Sequence, residues 1–220
     1  MGGREGTDRG VGRLSRPFDR EILSGPVLAA GRELLGAVLE VDSPQGTVAV
    51  ALSEVEVYAG LADPASHAYR GRTARNAVMF GPAGFLYVYF VYGMHWCCNV
   101  VCGPDGEPSA VLLRAGRVVA GEELARVRRP SARTLTELAR GPARLAGTLG
   151  LVGTDTGADL LDPASPIRLL AGTRVPDAKV RRGPRVGVAA AAEVPWRMWV
   201  DGDPTVSAYR ANTRRRVATT

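Results

Sequence analysis

Two carboxylates and a tyrosine alternate along one predicted strand, residues 51–58. Because the side chains of a strand point alternately to opposite faces, Glu54, Glu56 and Tyr58 share one face and the valines between them lie on the other. Charged residues at alternating positions are typical of a solvated face. Here, however, the strand leads into a long loop holding His67, one of only two histidines. A carboxylate, a tyrosine and a histidine so close together form a candidate site for acid–base chemistry.

A second distinctive run, Gly84–Met94, contains three of the six tyrosines. Its β-branched and aromatic residues predict a strand of about seven residues, bounded by Pro82, Gly84 and Gly93. A tyrosine presents a flat π face and a hydroxyl that needs a partner, so a cluster of them favours a surface that stacks on a planar ligand. The alternative is an amphipathic strand whose tyrosines are half-buried in the core.

Three cysteines and a histidine lie within residues 95–102, a composition that suggests a metal site. The spacing argues against one, because the adjacent Cys97 and Cys98 point to opposite faces of a strand and no second Cys or His pair completes a tetrahedron. We therefore expect no metal, no cofactor and mostly buried free thiols. The N-terminal residues lack the apolar segment of a secretory signal, which predicts a cytoplasmic protein.

The length of 220 residues suits one domain. We expect that domain at residues 17–210, with a disordered basic tail at 1–16 and a basic tail at 211–220. No run of 18 apolar residues is present in the sequence, so we expect no contact with a membrane.

The charge is strongly basic, with a net charge of +6 and a pI of about 9.7. Among the 28 basic residues only Lys179 is a lysine. Forked guanidinium groups suit contacts with phosphate, which favours a nucleic-acid partner, although a basic surface can also be merely solvated.

Hairpin-length turns and grouped helices predict an α+β fold: a single domain with a largely antiparallel, curved β-sheet and helices packed around it. The first helix is expected to have Ser24 as its N-cap and Pro26 in its first turn. Residues 59–84 form a long loop, which is usually functional in a compact domain. Besides the tyrosine strand between Gly84 and Gly93, strands are predicted at 37–41, 47–58, 94–102, 110–114, 167–170, 185–189 and 198–200. Helices are predicted at 26–36, 119–129 and 134–150, the last interrupted at 141–142.

These motifs belong to an ordered set that extends over residues 22–206. The set comprises Glu54-Val55-Glu56-Val57-Tyr58, Ala65-Ser66-His67, Thr73-Ala74-Arg75-Asn76, Met79-Phe80, Leu86-Tyr87-Val88-Tyr89, Tyr92-Gly93-Met94, Cys97, Asn99, Val111-Leu112-Leu113-Arg114-Ala115, Gly141-Pro142, Arg185-Val186-Gly187-Val188 and Trp199-Val200. In this order it resembles the alkyladenine DNA glycosylases, also called methylpurine-DNA glycosylases, over nearly the whole chain.

The resemblance implies an enzyme, acting as a monomer, that flips a damaged purine out of double-stranded DNA and hydrolyses its N-glycosidic bond. Tyr92 would enter the minor groove as the wedge that fills the vacated stack, with Met94 and His95 beside it as further DNA-binding residues. Where the family often has other aromatic residues, this chain has His95-Trp96. His95 either touches the neighbouring base pair or phosphate, or is a satisfied surface histidine.

The resemblance also implies the residues of the base pocket. Tyr58, His67 and Tyr89 would sandwich the flipped base, and His67 would also offer a hydrogen bond. Asn99 would line the floor of the pocket and discriminate against the exocyclic amine of guanine. Aromatic walls suit varied lesions because they recognise a π face without requiring one edge pattern.

In the implied reaction, Glu56 activates the attacking water, which Arg114 and the carbonyl of Val186 help to hold. Displacing a purine from C1′ passes through an oxocarbenium-like state that one ionised carboxylate stabilises. A cationic leaving base needs no acid, whereas a neutral base such as hypoxanthine must be protonated by another route.

Two other classes fit parts of the sequence. A non-enzymatic, arginine-rich nucleic-acid-binding protein would use the same basic surface, but it leaves Glu56 without a purpose, since a carboxylate opposes phosphate binding. A hydrolase of free nucleosides would need neither the basic surface nor the Tyr92 wedge.

Overall fold

The computed structural model describes residues 16–211. They form a curved, open sheet of eight strands with helices packed around it, so the predicted α+β, largely antiparallel fold is confirmed. The tails predicted at 1–16 and 211–220 lie outside the described residues except for one residue each. In the described part of the chain, no helix is both long and apolar enough to cross a membrane.

The elements in chain order have the following bounds. The strands are β1 (Val38–Ser43), β2 (Gly46–Tyr58), β3 (Leu86–Val91), β4 (His95–Cys102), β5 (Ser109–Ala120), β6 (Ile167–Leu170), β7 (Val180–Gly183) and β8 (Arg197–Val200). The helices are α1 (Arg20–Ser24), α2 (Val27–Glu33), α3 (Glu122–Arg128), α4 (Leu135–Leu138) and α5 (Pro142–Leu149).

Strand β2 is the centre of the sheet, whose main order is β3-β4-β5-β2-β1-β6. The first half of β2 pairs with β1 and its second half with β8, which in turn pairs with β7, while β5 follows β2 along its other side. All of these pairings are antiparallel. Register irregularities between β2 and β5 around Glu54 increase the local twist and bend the strand. Because β5 and β8 pair with its two sides, the second half of β2 lies inside the sheet and not at an edge.

One face of β2 belongs to the main core. Val55 and Val57 are fully buried, and helix α2 packs directly on this face. A Cβ atom at Gly31 of α2 would lie 2.6 Å from a methyl group of Val57, so only glycine allows the helix to come this close. This packing directs the alternate residues of the strand, Glu56 and Tyr58, away from the core helix.

The beginning of the chain differs from its prediction. Ser24 is the last residue of α1, a helix that was not predicted, and its hydroxyl donates to the carbonyl of Arg20. Asp19 caps α1, and Pro26 occupies the N-cap position of α2 without a side-chain cap. Asp19 accepts a backbone N–H with its carboxylate, which makes it an effective cap and lets a separate short helix form first.

The strand predicted at 185–189 is wrong, since this segment is irregular and the nearby strand is β7. The reason is visible in its hydrogen bonds: the N–H of Val186 donates to a side-chain carboxylate, Glu56, instead of a neighbouring strand. The predicted helix at 119–129 begins only at Glu122, because β5 continues to Ala120 and Gly121 has a positive φ of 72°.

Candidate active site

Glu56 is fully buried and is surrounded by hydrogen-bond donors. It also lines a cavity of about 450 Å³. The hydroxyl of Tyr58 donates to Glu56 Oε2 over 2.9 Å, and the backbone N–H of Val186 donates to Oε1 over 2.6 Å. A guanidinium nitrogen of Arg114, on β5, lies 3.2 Å from Oε2. Three donors from three parts of the chain thus fix the orientation of one carboxylate at the cavity wall.

Glu54 is the buried partner of two arginines, so the solvated face that alternating charges usually indicate is not present here. Its carboxylate accepts from Nε of Arg114 over 2.8 Å and from Nε of Arg197 over 2.7 Å. It also accepts from the backbone N–H and the hydroxyl of Ser207. Burial alone would raise the pKa of Glu54, but the two guanidinium charges outweigh it and hold the pKa below its ordinary value. Glu54 therefore orients Arg114 toward Glu56.

We expect Glu54→Gln to lower the free energy of unfolding by about 3–5 kcal/mol at neutral pH, because it leaves two buried guanidinium groups without their counter-charge. Chemical denaturation measures this loss, and Glu107→Gln, at an exposed turn, is the control.

The difference in the free energy of unfolding between the wild type and Glu54→Gln should shrink as the pH is lowered. A folded-state pKa below the ordinary 4.5 means that the stabilisation is fully present above about pH 4.5 and is lost as the pH falls through the folded-state value. A difference that stays constant or grows on acidification would show that the carboxylate charge is not the source of the stability.

Aromatic residues of β3 and the long loop form another wall of the cavity. The rings of His67 and Tyr89 meet edge to face with centroids 4.5 Å apart, and the Tyr87 and Tyr89 rings stack at 5.5 Å. His67 Nδ1 lies 3.0 Å from the hydroxyl of Tyr87. Burial, and then the charge of Arg75, lowers the pKa of His67, which favours the neutral imidazole. Tyr87 belongs to the tyrosine run predicted to stack on a planar ligand, but it was not predicted as a residue of the pocket, which it lines.

The floor of the cavity comes from β4. Asn99 is almost fully buried, and its amide donates to the carbonyl of Tyr87 over 3.3 Å. Cys97 lines the same cavity, whereas Cys98 lies in the main core, as their adjacency in a strand predicts. Burial raises the pKa of Cys97 to about 11, so the thiol is protonated at neutral pH. The three cysteines are free, and the described residues contain no cluster of three or more metal-binding side chains.

A buried ion pair that the sequence did not predict lies behind Tyr58. Arg185 forms a bidentate contact with Asp63, and both side chains are fully buried. The guanidinium carbon lies 4.9 Å from the ring centroid of Tyr58 and 5.2 Å from that of Trp196. Since Asp63 lies in the same loop as His67 and Arg185 directly precedes Val186, this pair ties together two segments that line the cavity. A separation of 122 residues explains why no local pattern revealed it.

Asn76 holds the loop that carries His67. Its side-chain amide donates to the carbonyls of His67 and Gly71 and accepts from the backbone N–H of Thr73. The amide thus uses both its donor group and its acceptor on backbone groups of an irregular segment. The position of His67 is therefore set by Asn76 as well as by Tyr87.

The tip of the β3–β4 hairpin lies at the rim of the cavity. Tyr92 has a positive φ of 53°, rare for a residue with a side chain, and the next residue, Gly93, has a φ of 67°. Two consecutive positive φ values are typical of a type I′ turn. The Tyr92 side chain is 78% exposed, and that of Met94 is 68% exposed. The turn thus presents two large apolar side chains to solvent beside the site.

Most of the side chains chosen from the sequence surround the same space. The cavity is lined by Glu56, Tyr58, His67, Tyr89, Tyr92, His95, Asn99, Arg114 and Val186. Met94 does not line it but lies at the exposed hairpin tip. The structure thereby brings together side chains from β2, β3, β4, β5 and two loops, separated by up to 130 residues in the Glu56–Val186 contact.

Comparison with known proteins agrees with this arrangement. A family model described as methylpurine-DNA glycosylase matches residues 21–204. A Streptomyces avermitilis protein named "Putative 3-methyladenine DNA glycosylase" is 56% identical over 202 residues, covering 91% of this chain and 95% of its own. Proteins with the same name from Nocardia farcinica and Frankia casuarinae are 54% and 50% identical, each over 91% of this chain and over 94% and 96% of their own. The chain belongs to the methylpurine-DNA glycosylase family.

Proposed function

We propose that this protein excises alkylated or deaminated purines from double-stranded DNA by hydrolysing the N-glycosidic bond, leaving an abasic site. The observation that carries the proposal is the position of Glu56, held by three donors at the wall of an aromatic-lined cavity. The family supports DNA as the substrate. The proposed lesions are 3-methyladenine, 7-methylguanine, hypoxanthine and ethenoadenine.

The reaction requires base flipping, because the C1′–N bond of a stacked base is not accessible to groups inside a cavity. The cavity volume falls in the ordinary range for small-molecule sites, about 300–1,000 Å³. The exposed Tyr92 at its rim supports entry from the minor groove, with the tyrosine filling the space that the base leaves. One protein molecule supplies all of these groups, in keeping with a monomeric enzyme.

In the proposed chemical step, Glu56 takes a proton from a water molecule while the water oxygen bonds to C1′ and the C1′–N bond breaks. The electron pair of that bond leaves with the purine. Arg114 and the carbonyl of Val186 help to hold the water, while the N–H of Val186 orients the carboxylate. The carboxylate also stabilises the positive charge that develops on the sugar. A cationic purine leaves as a neutral base, whereas a neutral purine requires protonation by another route.

Substrate recognition is assigned to the aromatic walls and the floor. Tyr58, His67 and Tyr89 are proposed to sandwich the flipped base, and the neutral imidazole of His67 offers a hydrogen bond. Asn99, fixed by the carbonyl of Tyr87, is proposed to exclude the exocyclic amine of guanine. A site strongly rejects a base that leaves one of its buried polar groups without a hydrogen-bond partner.

The alternatives explain less of the site. A protein that only binds nucleic acid gains nothing from a buried carboxylate with three oriented donors, since burying a charge has a free-energy cost. A hydrolase of free nucleosides has no use for an exposed tyrosine at a positive φ angle. Excess undamaged duplex DNA should compete with the damaged duplex, an effect not expected for a nucleoside hydrolase.

The test is a panel of duplexes, each bearing one of the proposed lesions, with the product strand examined before and after alkaline treatment. We expect an intact strand with an abasic site that breaks only in alkali. Absence of release from every duplex would contradict the proposed function.

Borohydride treatment during the reaction should trap no covalent protein–DNA adduct. Glycosylases that also cut the strand attack C1′ with an amine. The single lysine, Lys179, lies in a short 3₁₀ turn and lines a different cavity from that of Glu56. Water is therefore the expected nucleophile. An adduct that disappears in Lys179→Ala would overturn this mechanism.

A further inference from the structure

Two arginines lie over the tyrosines of the cavity, and their charges are balanced differently. Arg185 lies over Tyr58, and its charge is neutralised by Asp63. Arg75 lies over Tyr89, with its guanidinium carbon 5.7 Å from the ring centroid, and donates to the carbonyl of Phe90 over 3.1 Å. Within residues 16–211, no carboxylate forms an ion pair with Arg75.

The buried charges behind the cavity wall form pairs. Glu54 and Glu56 are matched by Arg114 and Arg197, which contact them directly. With Asp63 matched by Arg185, Arg75 is, within the described residues 16–211, the arginine that lies over a cavity tyrosine without a carboxylate partner. Its field also reaches the residues around it, since it contributes to the lowered pKa of His67.

A cation near an aromatic wall affects cationic and neutral ligands differently. The π face of a tyrosine attracts a positively charged ring, and this attraction is electrostatic. A guanidinium group already lying over the ring uses part of that attraction and repels a second cation through space. A neutral base retains its stacking and dispersion contacts and experiences no such repulsion.

We propose that Arg75 is a specificity-determining residue that disfavours cationic N-alkylated purines relative to neutral damaged purines such as hypoxanthine. This inference rests on the proposed function, because it concerns the choice among substrates of the same cavity. Arg75 need not touch the base, since its charge acts through Tyr89 and across the cavity.

The experiment compares single-turnover excision of 7-methylguanine and of hypoxanthine, each in a duplex of otherwise identical sequence. In Arg75→Gln we expect the ratio of the 7-methylguanine rate to the hypoxanthine rate to rise roughly fivefold, a modest effect because Arg75 is exposed and partly screened. Arg75→Lys loses the planar contact with the ring but keeps the positive charge, so the ratio should stay within about twofold of wild type. Arg72→Gln removes an exposed charge from the same loop and should also leave the ratio unchanged.

Two further measurements make the outcome decisive. The pKa of His67, measured by NMR in the free protein, should rise in Arg75→Gln and stay low in Arg75→Lys. In the wild type, the ratio itself should rise with ionic strength at saturating enzyme, because salt screens an exposed charge.

Each negative result has its own meaning. If the excision rates of both lesions fell equally in Arg75→Gln, the ratio would not change and the inference would be overturned. Arg75 would then contact the DNA or hold the β3–β4 hairpin in place. A ratio that does not respond to salt in the wild type would overturn it even if Arg75→Gln failed to fold. Failure of the wild type to excise either lesion would instead contradict the proposed function.

Discussion

Glu56→Gln is expected to abolish excision, with a rate loss of at least about 10³-fold, while affinity for a lesion-containing duplex stays within a fewfold of wild type. Glutamine keeps the shape of glutamate, and its carbonyl oxygen can still accept the N–H of Val186. It cannot take a proton from water or stabilise a positive charge on the sugar. Single-turnover kinetics and equilibrium binding on the same duplex measure the two quantities separately.

Tyr58→Phe is the matched control for this experiment. It removes one donor to Glu56 but leaves the carboxylate, the contacts from Val186 and Arg114, and the aromatic ring. We expect a loss of about 10–150-fold, in line with the loss of one hydrogen bond to a charged group, about 1.5–3 kcal/mol, and clearly smaller than the loss in Glu56→Gln. An active Glu56→Gln together with a folded but inactive Glu54→Gln would show that the roles of the two carboxylates are reversed.

Tyr92→Ser is expected to reduce excision most for lesions in well-paired duplexes, by about 10–100-fold, and least for lesions that are already mispaired. The wedge offsets an unstacking cost of a few kcal/mol, and a mismatch removes part of that cost in advance. The measurement is single-turnover excision of hypoxanthine opposite cytosine, its stable partner, and opposite thymine, with which it forms a weaker wobble pair. Equal losses on both duplexes would contradict the assignment of Tyr92 as a wedge.

The turn geometry supplies a second variant that separates function from folding. Because Tyr92 has a positive φ, Tyr92→Gly relieves backbone strain of about 1 kcal/mol and should not lower the melting temperature. Its excision should nevertheless fall as in Tyr92→Ser. Tyr209→Ser, which removes another exposed tyrosine, is expected to behave as wild type.

Much of the local arrangement followed from sequence patterns. Period-two alternation correctly placed Glu56 and Tyr58 on one side of β2, and the β1–β2 hairpin was predicted around its observed turn. The ordered motifs identified the family, and the family model and relatives confirm it. These features depend on the backbone geometry of short segments and on the order of residues, both of which a sequence contains directly.

Tertiary structure decided what surrounds those residues. Alternation predicted a shared face for Glu54 and Glu56, but not that both would be buried, because burial depends on arginines from β5 and β8. The pair of Asp63 and Arg185 and the position of Arg75 over Tyr89 likewise arise from contacts between distant or irregular segments.

The incorrect strand at 185–189 has the same origin. Its valines are typical of a strand, yet the N–H of Val186 is bonded to Glu56, 130 residues earlier in the chain. Local sequence determines which conformations a segment prefers, whereas the partners of its polar groups depend on the packing of the whole chain. In this protein, the candidate catalytic carboxylate was recognisable from its own strand, but the donors that orient it were determined only when the distant segments came together.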